Sequence, residues 1–124
     1  MNYAFQDRQN LYLIMDYLNA GDLRYHMIVN KFSEAEAKFF IACLLLSLAY
    51  LHNHGVIHRD VKPENMVLED TGYVRLTDLG ISNKWRQNNC NDTSGTPGYM
   101  APEVLRYKNH SFTVDYFAVG ILVY

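Results

Sequence analysis

Residues 58–65 decide the fold and read His-Arg-Asp-Val-Lys-Pro-Glu-Asn. This short stretch contains an acid, a cation and an amide, at Asp60, Lys62 and Asn65. Further along, residues 78–80 read Asp-Leu-Gly and residues 95–103 read Gly-Thr-Pro-Gly-Tyr-Met-Ala-Pro-Glu. Carboxylate and amide oxygens such as those of Asn65 and Asp78 are ligands that Mg²⁺ prefers. Any one of these motifs is a weak signal, but three in this order and spacing are very hard to obtain by chance.

Together the three motifs resemble the catalytic loop, the metal-binding triplet and the end of the activation segment of eukaryotic protein kinases. The resemblance extends from Tyr3 to Tyr124 and is similar in local character to the group around the cAMP-dependent protein kinase. It implies an α+β, protein-kinase-like fold that is partial. Residues 1–18 would be the end of the small lobe and the hinge, and residues 19–124 the N-terminal half of the large lobe. The implied activity is transfer of the ATP γ-phosphate to Ser/Thr hydroxyls of protein substrates.

The resemblance assigns catalytic roles to Asp60, Lys62, Asn65 and Thr96. Asp60 would orient the acceptor hydroxyl and take its proton, and Lys62 would lie beside the moving phosphoryl group as a compact cation. Thr96 would bridge Asp60 and Lys62, while Asn65 and Asp78 would bind Mg²⁺. A lone Asp or Lys is most often a solvated surface charge, and only the shared frame of motifs reverses that interpretation.

Residues 13–18 resemble the strand and hinge that meet adenine. By resemblance Met15 is the gatekeeper, backbone groups of Asp16 and Leu18 bond the purine, and Asp22 reaches the ribose. The residues implied to bind the nucleotide are Met15, Asp16, Leu18, Asp22, Lys62, Glu64, Asn65, Val67, Thr77 and Asp78. Without the downstream motifs, residues 13–18 are an ordinary amphipathic strand and turn.

The first half of the chain predicts a hairpin and two helices. Two short apolar runs, Tyr3–Phe5 and Leu11–Met15, flank a polar turn and predict a β-hairpin. Asp22 is expected to cap a short helix that ends near Val29. Ser33 and Glu36 form a capping-box signature that opens a helix to about His52. Because this second helix is apolar on nearly every face, we expect it to be buried on most sides in the centre of a larger domain, and to lose part of that cover in this chain by itself.

The second half predicts short elements joined by loops. Residues 56–65 are expected to form a polar loop, followed by strands at 66–68 and 73–77. Residues 79–98 are predicted to form a long polar loop, of a length typical of functional or mobile segments. Helices are expected to start at Ala101-Pro102 and near Thr113, the latter still running at Tyr124.

The long polar loop contains candidate regulatory residues. Arg59, directly before Asp60, is typical of kinases whose activation loop is ordered by a phosphate, which an Arg can bind. Thr93 and Ser94 are the candidate acceptors. Asp92 lies near the position of the phosphothreonine in the related group and could replace it. A flexible loop without a regulatory role is the third interpretation.

Further roles follow from the resemblance alone. Asp115 resembles the acid that holds the backbone of the catalytic loop. Asp22 and Glu64 match acids that meet basic residues upstream of the phosphoacceptor, so we expect a preference for Arg or Lys there.

Composition narrows the class of protein. The 124 residues are 49% hydrophobic and 19% charged, which fits one globular domain. The net charge of -2 gives no reason to expect nucleic acid or an anionic membrane as a partner. The apolar run from Phe39 to Leu51 is too short to span a bilayer, which needs about 20 residues. Cys43 and Cys90 lack metal-ligand spacing and favour a reducing compartment, the cytoplasm or the nucleus.

The kinase motifs leave alternatives open. No Gly-rich loop or strand lysine precedes the hinge, and the helix that contains Asp115 reaches the last residue. We therefore expect a segment of a complete kinase that is marginally stable by itself. A pseudokinase-like binding module, or an inactive truncated fragment, is the alternative. A small-molecule phosphotransferase is disfavoured by Lys62 and by residues 95–97 and 101–103, which serve peptide substrates in the family.

Overall fold

The computed structural model describes residues 1–124 and has eleven short elements. In chain order they are β1 (Tyr3–Gln6), β2 (Leu11–Ile14), α1 (Leu23–Val29), α2 (Glu34–Asn53), β3 (Val56–Ile57), a 3₁₀ turn (Pro63–Asn65), β4 (Met66–Leu68), β5 (Val74–Leu76), β6 (Asn83–Lys84), α3 (Pro102–Leu105) and α4 (Thr113–Val123). The strands form three separate antiparallel pairs, β1–β2, β3–β6 and β4–β5. The α+β class is therefore confirmed.

The predicted first hairpin is confirmed, and Asp7 closes its turn. Asp7 Oδ1 accepts hydrogen bonds from the backbone nitrogens of Gln9 and Asn10, each at 2.7 Å. Across the strands, the rings of Phe5 and Tyr12 stack with their centroids 4.9 Å apart. All eight strand residues are exposed, so this hairpin lies outside the apolar core.

Helix α2 begins where the capping box predicts. The Ser33 hydroxyl accepts from the backbone nitrogen of Glu36 at 3.3 Å, and the Glu36 carboxylate accepts from the Ser33 nitrogen at 2.8 Å. The Ser33 hydroxyl also donates to the Glu36 carboxylate at 2.6 Å, and this bond, with the one from the Ser33 nitrogen, holds the pKa of Glu36 below its ordinary value. The backbone nitrogens of Ser33 and Glu36, which have no hydrogen-bond partner within the helix, are thus paired by the capping box.

Within residues 1–124, α2 is covered only in part, as expected for this chain by itself. Only Leu44 and Leu48 of this helix are fully buried, whereas Leu46 is 74% exposed. Strands β3 and β5 and helix α4 contact α2, and an open apolar groove of about 510 Å³ lies between α1, α2 and α4. Helix α2, with 20 residues, is also long and apolar enough to cross a bilayer, but the core helices of soluble proteins pass the same test.

The main apolar core lies directly beneath the catalytic motif. Val61 and Met66, inside and just after that motif, are both at most 1% exposed. They pack with buried residues of four other elements, namely Leu23, Leu44, Leu48, Val74, Ala118 and Val119. Burying one such side chain contributes about 1.5–3 kcal/mol. The catalytic loop is therefore fixed to the core directly after Asp60 and directly after Asn65.

A small sheet that the sequence did not predict joins the two long loops. Residues 56–65 and 79–98 were expected to lack strands, yet β3 pairs with β6 through Val56–Lys84 and Ile57–Asn83. A backbone hydrogen bond of 2.7 Å from Trp85 to Gly55 extends this pairing. Because β3 immediately precedes the catalytic loop, the sheet holds the start of the 79–98 loop beside it. Helix α4 ends at Val123, whereas the sequence predicted that it would still be helical at Tyr124.

Candidate active site

The carboxylate of Asp60 lies at the centre of a closed set of polar contacts. Its Oδ1 accepts from the hydroxyl of Thr96 at 2.5 Å, and its Oδ2 accepts from Asn65 Nδ2 at 3.0 Å. The ammonium of Lys62 is 2.8 Å from Oδ2 and also donates to Thr96 Oγ1 at 2.9 Å. All four residues predicted to be catalytic are thus brought together, and Thr96 bridges Asp60 and Lys62 as expected.

Asp60 and Lys62 each stabilise the charged form of the other. Burial raises the pKa of Asp60, but hydrogen bonds from Lys62 and Thr96, together with the charge of Lys62, outweigh it and hold the pKa below its ordinary value of 3.8. The hydrogen bond to Asp60 raises the pKa of Lys62, and the charges of Glu64 and Asp78 raise it further. Asp60 is therefore an anion and Lys62 a cation at neutral pH.

Asp115 of helix α4 fixes the backbone of the catalytic loop. Its carboxylate accepts from the backbone nitrogens of His58 at 2.9 Å and Arg59 at 2.8 Å. Asp115 is 1% exposed, and its Oδ2 also lies 2.7 Å from Nε2 of His52 at the end of α2. A buried acid with three partners is strongly held, so the two residues before Asp60 have little freedom.

The β4–β5 hairpin brings Asp78 back to the catalytic loop. The backbone nitrogen and the hydroxyl of Thr77 both donate to the carbonyl oxygen of Asn65, at 2.8 Å and 3.1 Å. Nε2 of His58 lies 3.0 Å from the carbonyl oxygen of Thr77. Asp78 follows in a left-handed conformation, φ 61°, and its Oδ1 accepts from the Gly80 nitrogen at 3.0 Å. Asn65 and Asp78 are therefore set at one edge of the hairpin.

The predicted nucleotide-binding residues fall into two groups. Asp22 forms an isolated β-bridge with Val67, which places both beside the catalytic loop, and Asp22 Oδ1 also caps α1 through the Tyr25 nitrogen at 2.8 Å. Met15, Asp16 and Leu18 follow the exposed hairpin, and no hydrogen bond joins them to the catalytic residues. Met15 is 63% exposed, and Asp16 accepts from Asn2 at 3.0 Å. Their adenine-binding role stays a prediction.

Comparison with known proteins decides the family. The family model described as "Protein kinase domain" matches residues 1–124, the whole chain. The chain belongs to the protein kinase family. The family that the three sequence motifs indicated is therefore confirmed.

The similar curated proteins include several protein kinases. Rhodopsin kinase GRK1 of Rattus norvegicus is 40% identical over 98% of this chain, which corresponds to 23% of that relative. Serine/threonine-protein kinase sgk-1 of Caenorhabditis elegans is 39% identical over 100% of the chain and 27% of the relative. The cAMP-dependent protein kinase catalytic subunit of Dictyostelium discoideum is 38% identical over 98% of this chain and 19% of the relative. The kinase chain thus spans about a quarter of the length of the first curated relatives.

Protein kinases generally use ATP with Mg²⁺, and the donors in this kinase chain fit that ion. The amide nitrogen of Asn65 is taken up by Asp60, which leaves its Oδ1 without a protein partner. The exposed carboxylate of Asp78 has one oxygen that accepts no hydrogen bond. No group of three or more His, Cys, Asp and Glu residues forms a closed metal site. One amide and one carboxylate suit Mg²⁺, which shares its remaining ligands with phosphates and water.

Sequence reasoning missed two residues that support the kinase site. His52 contacts Asp115, but a single His at a helix end gives no signal in a sequence. Arg86 binds Asp92 with 3.1 Å contacts to both carboxylate oxygens, and only a count of basic residues in the polar loop could have suggested it.

Proposed function

We propose that the protein carrying this chain is a Ser/Thr protein kinase that transfers the γ-phosphate of ATP to hydroxyls of protein substrates. The observation that carries the proposal is the closed contact of Asp60, Lys62 and Thr96, with Asn65 on the same carboxylate. Phosphoryl transfer depends on positioning and charge neutralisation more than on covalent help from the protein. A fixed anion beside a fixed cation meets both needs.

Each residue of the cluster has a distinct task. Asp60 is ionised and held in one orientation, so it can accept a hydrogen bond from the substrate hydroxyl and then its proton. Lys62 places a compact positive charge beside Asp60, where charge on the transferred phosphoryl oxygens needs neutralising. Asn65 and Asp78 would hold Mg²⁺, which supplies charge neutralisation at the ATP phosphates. Thr96 ties the activation segment to both catalytic groups.

The substrate preference is part of the proposal. Glu64 is an exposed residue of the catalytic loop, and Asp22 lies beside Val67. Two acids on this side of the site favour peptides with Arg or Lys before the phosphoacceptor. A peptide array should show that preference, and Glu64→Gln should weaken it. An unchanged profile in Glu64→Gln would remove the role of this acid.

The activity is tested with the full-length protein, because this chain spans about a quarter of its first relatives. Radiolabelled ATP and peptides that differ only in a Ser, Thr or Tyr acceptor would be compared in wild type, Asp60→Asn and Asp70→Asn. Asp70 is an exposed turn acid with no side-chain hydrogen bond, so it is a matched control. We expect phosphate on Ser and Thr, and a loss of about 10²–10⁴-fold in kcat for Asp60→Asn only. Transfer at the background level in both wild type and Asp60→Asn would favour a pseudokinase-like binding module.

A further inference from the structure

The middle of the long polar loop pairs with the connection between α3 and α4. The side-chain amide of Asn89 donates to the carbonyl oxygen of His110 at 2.8 Å and accepts from the His110 nitrogen at 2.9 Å. Asn109 Oδ1 accepts from the backbone nitrogens of Asn89 at 3.1 Å and of Cys90 at 3.0 Å. Trp85 Nε1 donates to the same His110 carbonyl at 3.2 Å. Five hydrogen bonds therefore join two segments that are distant in the chain.

The directions of these bonds set different chemical requirements at positions 89 and 109. Asn89 is 4% exposed and His110 is 7% exposed, so water cannot readily replace a missing partner. Because the Asn89 side chain both donates to His110 and accepts from it, this position requires an amide. Asn109 is exposed, and only its oxygen takes part in the pairing. A carboxylate accepts but does not donate, so it fits position 109 and does not fit position 89.

Each of the paired segments leads to a residue that holds the catalytic loop. Thr96, which follows Asn89 in the same loop, contacts the catalytic side chains through its hydroxyl. Asp115, which follows His110 at the start of α4, accepts from the backbone of the catalytic loop. The pairing thus completes a ring of contacts that runs from the catalytic loop through Thr96, Asn89, His110 and Asp115 back to the loop. Its loss would remove one of the contacts that hold Thr96 against Asp60.

We propose that Asn89 is a positioning residue of the phosphoryl-transfer site, because its reciprocal pairing with His110 keeps the segment that carries Thr96 on the catalytic loop. This rests on the proposed kinase function. Asn89 makes no hydrogen bond to the residues around Asp60, so it acts on them through Thr96.

The test makes the same substitution, Asn to Asp, at three positions of the full-length protein. Asn89→Asp removes the donor and sets a carboxylate oxygen against the His110 carbonyl. Asn109→Asp keeps the acceptor that the pairing uses, and Asn91→Asp changes an exposed side chain that makes no hydrogen bond. We expect kcat to fall at least about fivefold for Asn89→Asp and to stay within about twofold for the other two. The KM for ATP should change less than about threefold in all three, because none contacts the residues expected to bind Mg²⁺.

The role in positioning is separated from a merely structural role by expressing kcat per nucleotide-binding site. These sites are counted by titration with a fluorescent ATP analogue, and the Tm of each variant is measured. A merely structural role would lower the Tm and the number of sites while kcat per site stayed at the wild-type value, and this result would overturn the proposal. Equal losses in Asn89→Asp and Asn109→Asp would also overturn it, because they would trace the effect to the added charge rather than to the lost donor.

If Asn89→Asp does not fold, Asn109→Ala replaces it, because this exposed side chain loses only its acceptor. The kcat should then fall for Ala and not for Asp at position 109, and equal values for the two would reject the role of the pairing.

Hydrogen exchange of residues 85–96 distinguishes failure of this inference from failure of the kinase proposal. If the wild type transfers no phosphate, the kinase proposal fails, yet faster exchange of this segment in Asn89→Asp than in Asn91→Asp still supports the pairing as the contact that holds it. Exchange at the Asn91→Asp rate would reject the pairing whether or not the protein is an active kinase.

Discussion

Replacing Asp115 by Asn should loosen the backbone of the catalytic loop while leaving its side chains unchanged. The carboxylate accepts from the nitrogens of His58 and Arg59 through different oxygens. An Asn side chain has one acceptor oxygen, so one of these two nitrogens must face an NH₂ group instead. Asp115 is 1% exposed, so water cannot readily replace the lost acceptor. An unpaired buried donor costs about 1–3 kcal/mol.

This cost can be read locally by amide hydrogen exchange on the full-length protein. A cost of about 1–3 kcal/mol corresponds to exchange about 5- to 150-fold faster at His58 or Arg59. Amides within the β1–β2 hairpin should be unaffected because that hairpin makes its own contacts. Asp70→Asn, which changes an exposed acid in the same way, is the control. Equal protection of His58 and Arg59 in Asp115→Asn and Asp70→Asn would refute the role of Asp115 as the anchor of this loop.

Three further predictions concern single contacts of the same region. Thr96→Val should lower kcat about tenfold or more because Asp60 and Lys62 lose their shared hydroxyl, whereas Thr96→Ser should stay near wild type; equal rates for Val and Ser would contradict this. The pKa of Asp60 is lowered by folding, so its contribution to stability is present above pH 3.8 and is lost as the pH falls through the lower folded value. The difference in free energy of unfolding between wild type and Asp60→Asn should therefore be constant near neutral pH and shrink below pH 3.8, and a change centred near pH 6 would be inconsistent. Ser33→Ala should cost about 0.5–2 kcal/mol in urea denaturation by removing the cap of α2, and an unchanged midpoint would show that the cap contributes nothing.

Local signals in the sequence predicted the elements that local physics determines. Ser33 and Glu36 interact three residues apart, so the start of α2 could be read directly from the sequence. Asp22 caps α1 in the same way, through the backbone nitrogen of Tyr25 three residues on. Short apolar runs separated by turn residues were sufficient for the β1–β2 and β4–β5 pairs, whose partners are close in the chain.

Contacts between distant segments could not be derived in that way. Strands β3 and β6 have two residues each and pair across residues 58–82, so neither periodicity nor a turn signal marks them. The burial of α2 depends on which elements lie against it, and its own sequence says only that it is apolar. Family resemblance, rather than residue patterns, provided the link between Asp60 and Thr96, which are 36 residues apart. The Arg86–Asp92 contact had no such guide.

The central claim is that Asp60, Asn65 and Asp78 surround one nucleotide–metal complex. A crystal structure of the full-length protein with Mn²⁺ and a non-hydrolysable ATP analogue tests it, because anomalous scattering locates Mn²⁺ directly. We expect a Mn²⁺ ion bound by Asn65 Oδ1 and the carboxylate of Asp78, with Asp60 facing the terminal phosphate. A metal ion bound to the nucleotide but distant from both Asn65 and Asp78 would contradict the assignment.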